Sequence, residues 1–236
     1  MTMRPKKMAA TFMISASTLR NYEAKGLIPP AERSVNGYRI YTDLHAAYLA
    51  CIQAMAPAFG MEATTEALHY LRLDKTHDAL WVIREKEVAL YEDKEKLEKL
   101  IEDIRRQVNE NTSPYKKERF TIHEVSELTH VPKSTIRYWE QAGYVIVNRD
   151  PENRYRCYDG AHLLKVRLIQ MLQNTVYSEE TVKFKQSIAT AEHTDLQMLM
   201  KIAEKIRIYQ DKRIESQMCG ITCLYRLIQL AKKAPI

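Results

Sequence analysis

The side chains best suited to chemistry in this 236-residue chain are hydrogen-bond donors set in two matched blocks. Ser17-Thr18-Leu19-Arg20-Asn21-Tyr22-Glu23-Ala24-Lys25-Gly26 returns, altered, as Ser134-Thr135-Ile136-Arg137-Tyr138-Trp139-Glu140-Gln141-Ala142-Gly143, 117 positions later. A second block, Asn36-Gly37-Tyr38-Arg39-Ile40-Tyr41, returns as Asn153-Arg154-Tyr155-Arg156-Cys157-Tyr158 at the same offset. Two blocks kept in one register imply that a small domain occurs twice. Arginine can give two hydrogen bonds to a guanine edge, and exposed arginines suit backbone phosphates, which position a duplex without specifying its sequence. Bond-making chemistry has no comparable signal. The seven histidines look scattered, no glycine-rich phosphate loop occurs, and no carboxylate pair stands out from the charged helices. An enzyme is not expected, and no cofactor is implied.

The elements that must carry these blocks can be read around them. Ser15 or Ala16 to Lys25 has Ala16, Leu19 and Tyr22 at helical spacing, with Ser15 as N-cap and Gly26 as the stop. Met8 to Phe12 suits a short helix, with a turn near Met13-Ile14. Asn36-Gly37 signals a tight hairpin. In the second copy Thr121-Ile122-His123-Glu124 reads as a capping box. Ile122, Val125, Leu128 and Val131 would form the buried face, and Pro132 fits a first helical turn. Each unit therefore reads helix, turn, helix, hairpin wing, helix. Leu19, Tyr22, Ile136, Trp139, Tyr41 and Tyr158 read as packing residues, and Glu23 and Glu140 as partners of a local arginine.

Both copies resemble the DNA-binding domain of the MerR family of bacterial transcription regulators, a winged helix-turn-helix. The resemblance rests on the Thr-Leu-Arg-x-Tyr-Glu run at Thr18, the stop after Gly26, and the Asn-Gly-Tyr-Arg-x-Tyr wing at Asn36. The first copy departs at Asn21. The second keeps Thr135, Arg137, Tyr138, Glu140, Gly143, Asn153, Tyr155, Arg156 and Tyr158, and departs at Trp139, Tyr144-Val145 and Arg154. Arg154 replaces the wing glycine, at a cost of about 1 kcal/mol if the position needs positive φ. The resemblance implies that the second helix of each unit enters the major groove. Candidate contacts there are Ser17, Thr18, Arg20, Asn21 and Lys25 in the first copy, and Lys133, Ser134, Arg137 and Tyr138 in the second. Wing candidates are Arg33, Tyr38, Arg39, Arg149, Arg154 and Arg156.

The resemblance further implies a regulator that bends and untwists promoter DNA, with RNA polymerase at the promoter and a small-molecule effector as further partners. Family members form homodimers through an antiparallel coiled coil. Here one chain can supply both halves as an intrachain pseudo-dimer with two unlike reading heads; a homodimer with four heads is the alternative. Two other function classes stand beside the regulator: capture of a drug or toxin, and an architectural DNA-binding protein. Family members also include metal and redox sensors, which makes Cys219 and Cys223 weak metal candidates, with no histidine or third cysteine beside them to complete a zinc site.

The remaining sequence fits a mainly α fold with pseudo-two-fold internal duplication, each winged helix-turn-helix being followed by a long coiled-coil-type helix. The divisions expected are 1–75 for the first winged domain, 76–110 for the first long helix, 111–117 for a polar linker, 118–190 for the second winged domain, and 191–236 for the second long helix and tail. In the first long helix Ile83, Glu87, Leu90, Lys94, Leu97, Ile101, Ile104 and Val108 form a four-three seam. Translating it by 117 gives Met200, Glu204, Arg207, Asp211, Ile214, Met218, Ile221 and Tyr225, with Ile202, Ile206 and Tyr209 as a competing stripe. Gly220 interrupts the second helix pattern.

The net charge of +6 is uneven: residues 1–60 carry seven Lys/Arg against three Asp/Glu, whereas 121–183 carry eight of each. That excess suits phosphate contact in the first copy, and Arg4, Lys6 and Lys7 read as a frayed basic tail or a groove-tracking arm. Four cysteines without a framework suit a reducing compartment, and no apolar run reaches membrane-spanning length. A cytoplasmic, nucleoid-associated protein is expected.

Overall fold

The computed structural model describes residues 2–110, 119–151, 153–173, 179–191 and 195–233; the expected linker over 111–117 lies outside them. The chain divides into two units, Met1–Val88 with Lys212–Ile236, and Ala89–Asp211. In the first unit β1 (Thr2–Met3) leads into α1 (Pro5–Thr11) and α2 (Ala16–Ala24). A hairpin of β2 (Glu32–Arg33) and β3 (Arg39–Thr42) follows, then α3 (Asp43–Phe59), α4 (Met61–Arg72) and the start of α5 (Thr76–Glu110). The second unit holds the rest of α5, then α6 (Ile122–Thr129) and α7 (Lys133–Gln141). Its hairpin is β4 (Asn148–Arg149) with β5 (Arg156–Cys157), followed by α8 (Gly160–Met171) and α9 (Glu179–Thr190). The last helix, α10 (Leu196–Lys233), begins in the second unit and ends in the first.

The basic N-terminus is not a frayed tail. β1 pairs antiparallel with β3, Met3 opposite Tyr41, and Met8 of α1 is fully buried, so backbone bonds and an apolar anchor hold the segment down. In the second copy a single bridge between Phe120 and Tyr158 takes the same place. The inner face of α6 also differs from expectation. Leu128 is 41% exposed, because Thr129 turns inward and its hydroxyl donates to the Val125 carbonyl at 2.7 Å.

Each unit has its own apolar core. In the first, Leu19, Leu27, Ile28, Tyr41 and the inner face of α3 pack with Ala79, Val82 and Ile83 of α5 and with Leu224, Leu227 and Ile228 of α10. In the second, Ile136, Trp139, Tyr158 and α8 pack with Leu97, Leu100, Ile101 and Ile104 of α5 and with Leu199, Ile202 and Ile206 of α10. Hence in each unit one end of α5 meets the opposite end of α10.

The α5 seam is close to expectation, with Asp93 and not Lys94 turned inward at its polar break. Of the translated α10 seam Met200 and Ile221 pack against the cores, but its other apolar members do not, and the competing stripe holds in the first half of the helix. Ile214, Met218 and Tyr225 are exposed, and the buried stripe runs through Ile202, Ile206, Tyr209, Gln217, Gly220, Leu224 and Leu227. The helix is continuous through Gly220, where a Cβ would stand 2.9 Å from the Phe59 ring and 3.4 Å from the Ala54 carbonyl oxygen. The glycine is thus a contact point that lets α10 lie against α3, and this rotates the apolar stripe away from the register inherited from α5.

Candidate nucleic-acid interface

The second helix of each head is fixed at both ends. Ser15 caps α2, its Oγ accepting from the Thr18 amide at 2.9 Å, and Gly26 ends the helix region with φ +72°. In the second head Pro132 occupies the N-cap itself, one step before the expected first turn, and Gly143 has φ +75°. Thr121 and Glu124 form the expected capping box of the preceding helix.

Leu19 and Ile136 are fully buried beneath these helices, Trp139 nearly so, and Tyr22 packs partly buried. The opposite faces are exposed: Ser17, Arg20, Asn21 and Lys25 in the first head, and Lys133, Ser134, Arg137 and Tyr138 in the second. Thr18 is half-buried. The hydroxyls of Ser17 and Thr18 lie 2.6 and 2.8 Å from Ser15 Oγ, so both belong to the capping network before any partner arrives. Lys25 is the C-cap residue of α2.

One carboxylate in each head ties its helix to the wing. Glu23 accepts from Arg39 Nε at 2.8 Å, from the Tyr41 hydroxyl at 3.3 Å and from the Ala31 amide at 3.2 Å. Glu140 accepts from Arg156 Nε at 2.6 Å and from the Tyr158 hydroxyl. Tyr41 and Tyr158 are fully buried. Burial first, then the Glu23 carboxylate, pushes the Tyr41 phenol up to about 12; Tyr158 is raised by burial and Glu140. Both hydroxyls therefore stay donors at neutral pH. Arg156 is raised by its hydrogen bond to Glu140. Arg39 and Arg156, expected as wing contacts, thus hold the wing against the helix through Nε.

The wings repeat one geometry with a compensated shift. In the first, Arg33 pairs with Arg39 and the loop spans 34–38; in the second, Arg149 pairs with Arg156 and the loop spans 150–155. The strand pairing shows that β4 starts one residue early and its loop is one residue longer, which leaves the 117 offset intact at both flanks. Neither loop is the two-residue turn suggested by Asn36-Gly37; within the first loop, positive φ is confined to Gly37. Arg33 Nη1 donates to the Gly37 carbonyl at 3.2 Å, and Arg149 Nη1 to the Arg154 carbonyl at 3.3 Å. Arg154 holds the glycine's place with φ +62°, so this side chain bears the left-handed strain. Tyr38 and Tyr155 are exposed at the two tips.

A histidine pair escaped the sequence reading. His45 and His162 are also 117 apart. Each lies at the third position of the helix after the wing, with Nδ1 beside the N-cap amide: His45 accepts from Thr42 at 3.0 Å, and His162 Nδ1 lies 3.1 Å from the Asp159 nitrogen and 2.6 Å from its Oδ1. Each ring also meets the clamp tyrosine edge-on, with centroids 5.2 and 5.8 Å apart. Testing the histidines against the repeat offset would have found them.

Cys219 is exposed and Cys223 half-buried on α10. Burial raises the Cys223 thiol, with Cys219 adding to the effect. Among the described residues no group of three or more His, Cys, Asp or Glu side chains could hold a metal ion, and no helix is long and apolar enough to cross a membrane.

Comparison with known proteins places the same two segments. The profile described as MerR family regulatory protein matches residues 4–41, and that described as MerR HTH family regulatory protein matches 120–183. The chain is 36% identical over 67 residues to the HTH-type transcriptional regulator CueR of Escherichia coli O6:H1, covering 28% of this chain and 50% of that protein. Identity to the CueR of Salmonella typhi is also 36% over 67 residues, 49% of that protein. A stretch of 65 residues is 35% identical to the type II methyltransferase M.Eco47II of Escherichia coli, 28% of this chain but 16% of the methyltransferase. The matched stretch thus spans at most about half the length of these relatives. No solved structure matches the chain significantly.

Proposed function

The chain carries two MerR-family helix-turn-helix domains, and from that premise we propose that it is a sequence-specific transcription regulator whose two heads read unlike half-sites of one promoter. The observation that carries this reading is the pair of clamped helices with different exposed faces. Arg20 and Asn21 stand where Arg137 and Tyr138 stand in the second copy, over matching Glu–Arg–Tyr clamps. A shared arginine and an unlike neighbour predict related but unequal half-sites, since Asn can pair bidentately with adenine and Tyr cannot.

In this reading Arg20, Asn21, Arg137 and Tyr138 face base edges, with Ser17, Thr18, Lys25, Lys133 and Ser134 at the groove margin. Arg33, Tyr38, Arg149 and Arg154 meet the backbone, and Arg39 and Arg156 act by holding the wings in place. One chain supplies both strands of the helix seam, an intrachain pseudo-dimer. Binding both heads to one site bends and untwists the DNA between them, a deformation costing several kcal/mol that the added contacts offset. The protein then acts in the cytoplasm on promoter DNA, by binding and not by catalysis.

Selection of duplexes from random DNA, followed by footprinting, tests this. Two unlike half-sites support it. A palindrome points to a homodimer that uses one head per chain, and sedimentation of the free protein then gives a dimer mass. Recovery without enrichment, sensitive to salt alone, removes sequence-specific regulation and leaves an architectural role.

A further inference from the structure

The second unit contains a cavity of about 510 Å³, within the range of small-molecule sites. Lys96, Lys99 and Asp103 of α5, Leu128 at the end of α6, and Arg167 and Met171 of α8 contribute to its wall. The Arg167 guanidinium lies 3.6 Å from Asp103 and donates to the Leu128 carbonyl at 3.2 Å, so a cation is fixed at the wall. Lys96 sits 3.8 Å from Asp93, and Lys99 forms no ion pair among the described residues. Three permanent positive charges thus face one lining carboxylate. Leu128 leaves 41% of its surface exposed at this place.

The duplication shows what occupies these positions elsewhere. At the 117 offset Asp103 corresponds to Gly220, Arg167 to Ala50, Met171 to Ala54 and Lys99 to Ser216. In the first unit the corresponding helix contact is closed, the Gly220 backbone lying against Ala54, Met55 and Phe59. Small residues let those helices touch. In the second unit charged side chains stand in their place, and a cavity stands beside them.

We propose that this cavity binds a small organic anion with an apolar body. Its carboxylate, sulfonate or phosphate lies in the field of Lys99, Lys96 and Arg167, where a charge-assisted hydrogen bond is short and strong. Its hydrocarbon or ring covers Leu128 and Met171. The site lies where α5 meets the turn before α7, so an occupant braces the helix that carries Arg137 and Tyr138. The inference does not depend on the DNA-binding reading and is tested without DNA.

The test is fluorescence titration of the full chain with 8-anilinonaphthalene-1-sulfonate, an aromatic sulfonate. The expected result is one saturable site per chain, displaced by octanoate and not by acetate at equal concentration. The double variant Lys96→Glu, Lys99→Glu changes two exposed side chains and should weaken binding at least tenfold with far-UV circular dichroism unchanged; Lys96→Glu also sets a carboxylate near Asp93, so a modest fall in melting temperature accompanies it. A control double variant, Lys201→Glu, Lys205→Glu, alters two exposed lysines of the same unit outside the cavity and should leave binding unaltered. Equal weakening by both pairs, displacement by acetate as effective as by octanoate, or full binding in the cavity variant would each overturn the proposal.

Discussion

In the first head Glu23 gathers Arg39, Tyr41 and the Ala31 amide; in the second Glu140 gathers Arg156 and Tyr158. The buried tyrosine, the edge-on histidine and the arginine that closes the wing loop also recur. The outward residues recur only in part: Ser17, Arg20 and Tyr38 return as Ser134, Arg137 and Tyr155, but Asn21 gives way to Tyr138, Gly37 to Arg154, and the loop gains a residue. The comparison separates two kinds of constraint. Groups that would be left buried without a partner are held constant, because each unpaired donor costs about 1–3 kcal/mol. Groups facing solvent carry no such cost and are free to acquire different recognition chemistry.

Breaking the shared part should have the largest effect. Glu23→Ala leaves the Tyr41 hydroxyl buried without its acceptor and releases Arg39, at an expected cost of about 2–3 kcal/mol. Glu140→Ala should do the same to the second unit. Trp139 is buried in that unit, so with Trp81→Phe as background its fluorescence reports the second unit alone in urea titration. A large shift from Glu140→Ala and a small one from Glu23→Ala at this reporter would locate each clamp in its own unit. Equal shifts from both would mean that the units melt together.

The helix contact supplies the next contrast. Gly220→Ala places a methyl 2.9 Å from the Phe59 ring, and overpacking of this kind costs about 1–3 kcal/mol. Asp103→Ala, at the corresponding position of the second unit, removes a partly exposed ion pair and should change stability by less than about 1 kcal/mol. Thermal melts of the two variants compare them directly; equal losses would contradict a closed contact in one unit and an open one in the other.

This contact also explains which parts of the structure were legible in the sequence. The heads were legible because both blocks keep one offset, and the carboxylate clamps only in part: each glutamate was expected to pair with a local arginine, but Arg39 and Arg156, which take that place, read as backbone contacts. The α10 seam was not, because a glycine contributes nothing to an apolar pattern while deciding which helix face can approach a neighbour. Arg213 and Gln217 hide the true stripe, whereas Ile214, Met218 and Tyr225 advertise a false one. The shifted hairpin was hidden for a different reason: one residue lost before β4 and one gained after it cancel in any count made from the flanks. The exposed faces were legible as candidates, since helical spacing over buried Leu19 and Ile136 dictates which residues point outward.

At those faces the proposal assigns bases to arginines. Arg20→Ala and Arg137→Ala should each weaken binding to the selected duplex by about 1–3 kcal/mol and relax base preference in one half-site. Loss of preference in different half-sites, read from footprints, would assign each head to its sequence. Arg33→Ala should instead lower affinity evenly across sequences and reduce the salt slope by about one.

A smaller effect sharpens the wing comparison. Arg154→Gly restores the residue type found at Gly37 and removes left-handed strain, raising stability by up to about 1 kcal/mol. The same change removes a cation from the wing, so DNA affinity should fall while the protein becomes harder to unfold. Affinity and melting moving together in one direction would remove Arg154 from the proposed interface.

The smallest effect concerns how the helix after the first wing begins. Thr42 provides the cap there, with the buried His45 ring accepting its amide, whereas a carboxylate, Asp159, provides it in the second head. Burial lowers the His45 pKa, opposed by the carbonyls of Pro30 and Pro29 and by the carboxylates of Glu23 and Glu32. A histidine lowered in the folded state binds its proton more readily when unfolded. Its contribution to stability is therefore complete above the ordinary value of about 6.5 and is lost as pH falls through that value towards the folded one. Urea midpoints measured from pH 7.5 down to 5.5 should decline, and His45→Gln should flatten the decline because no proton remains to be taken up at that position. Protonation also removes the lone pair that accepts the Thr42 amide, so the loss should appear first at the junction of β3 and α3. A protection factor for amide exchange at Thr42 that falls on acidification in the wild type, before that at Leu49 does, would locate the effect there; a uniform fall would assign the pH dependence to other groups.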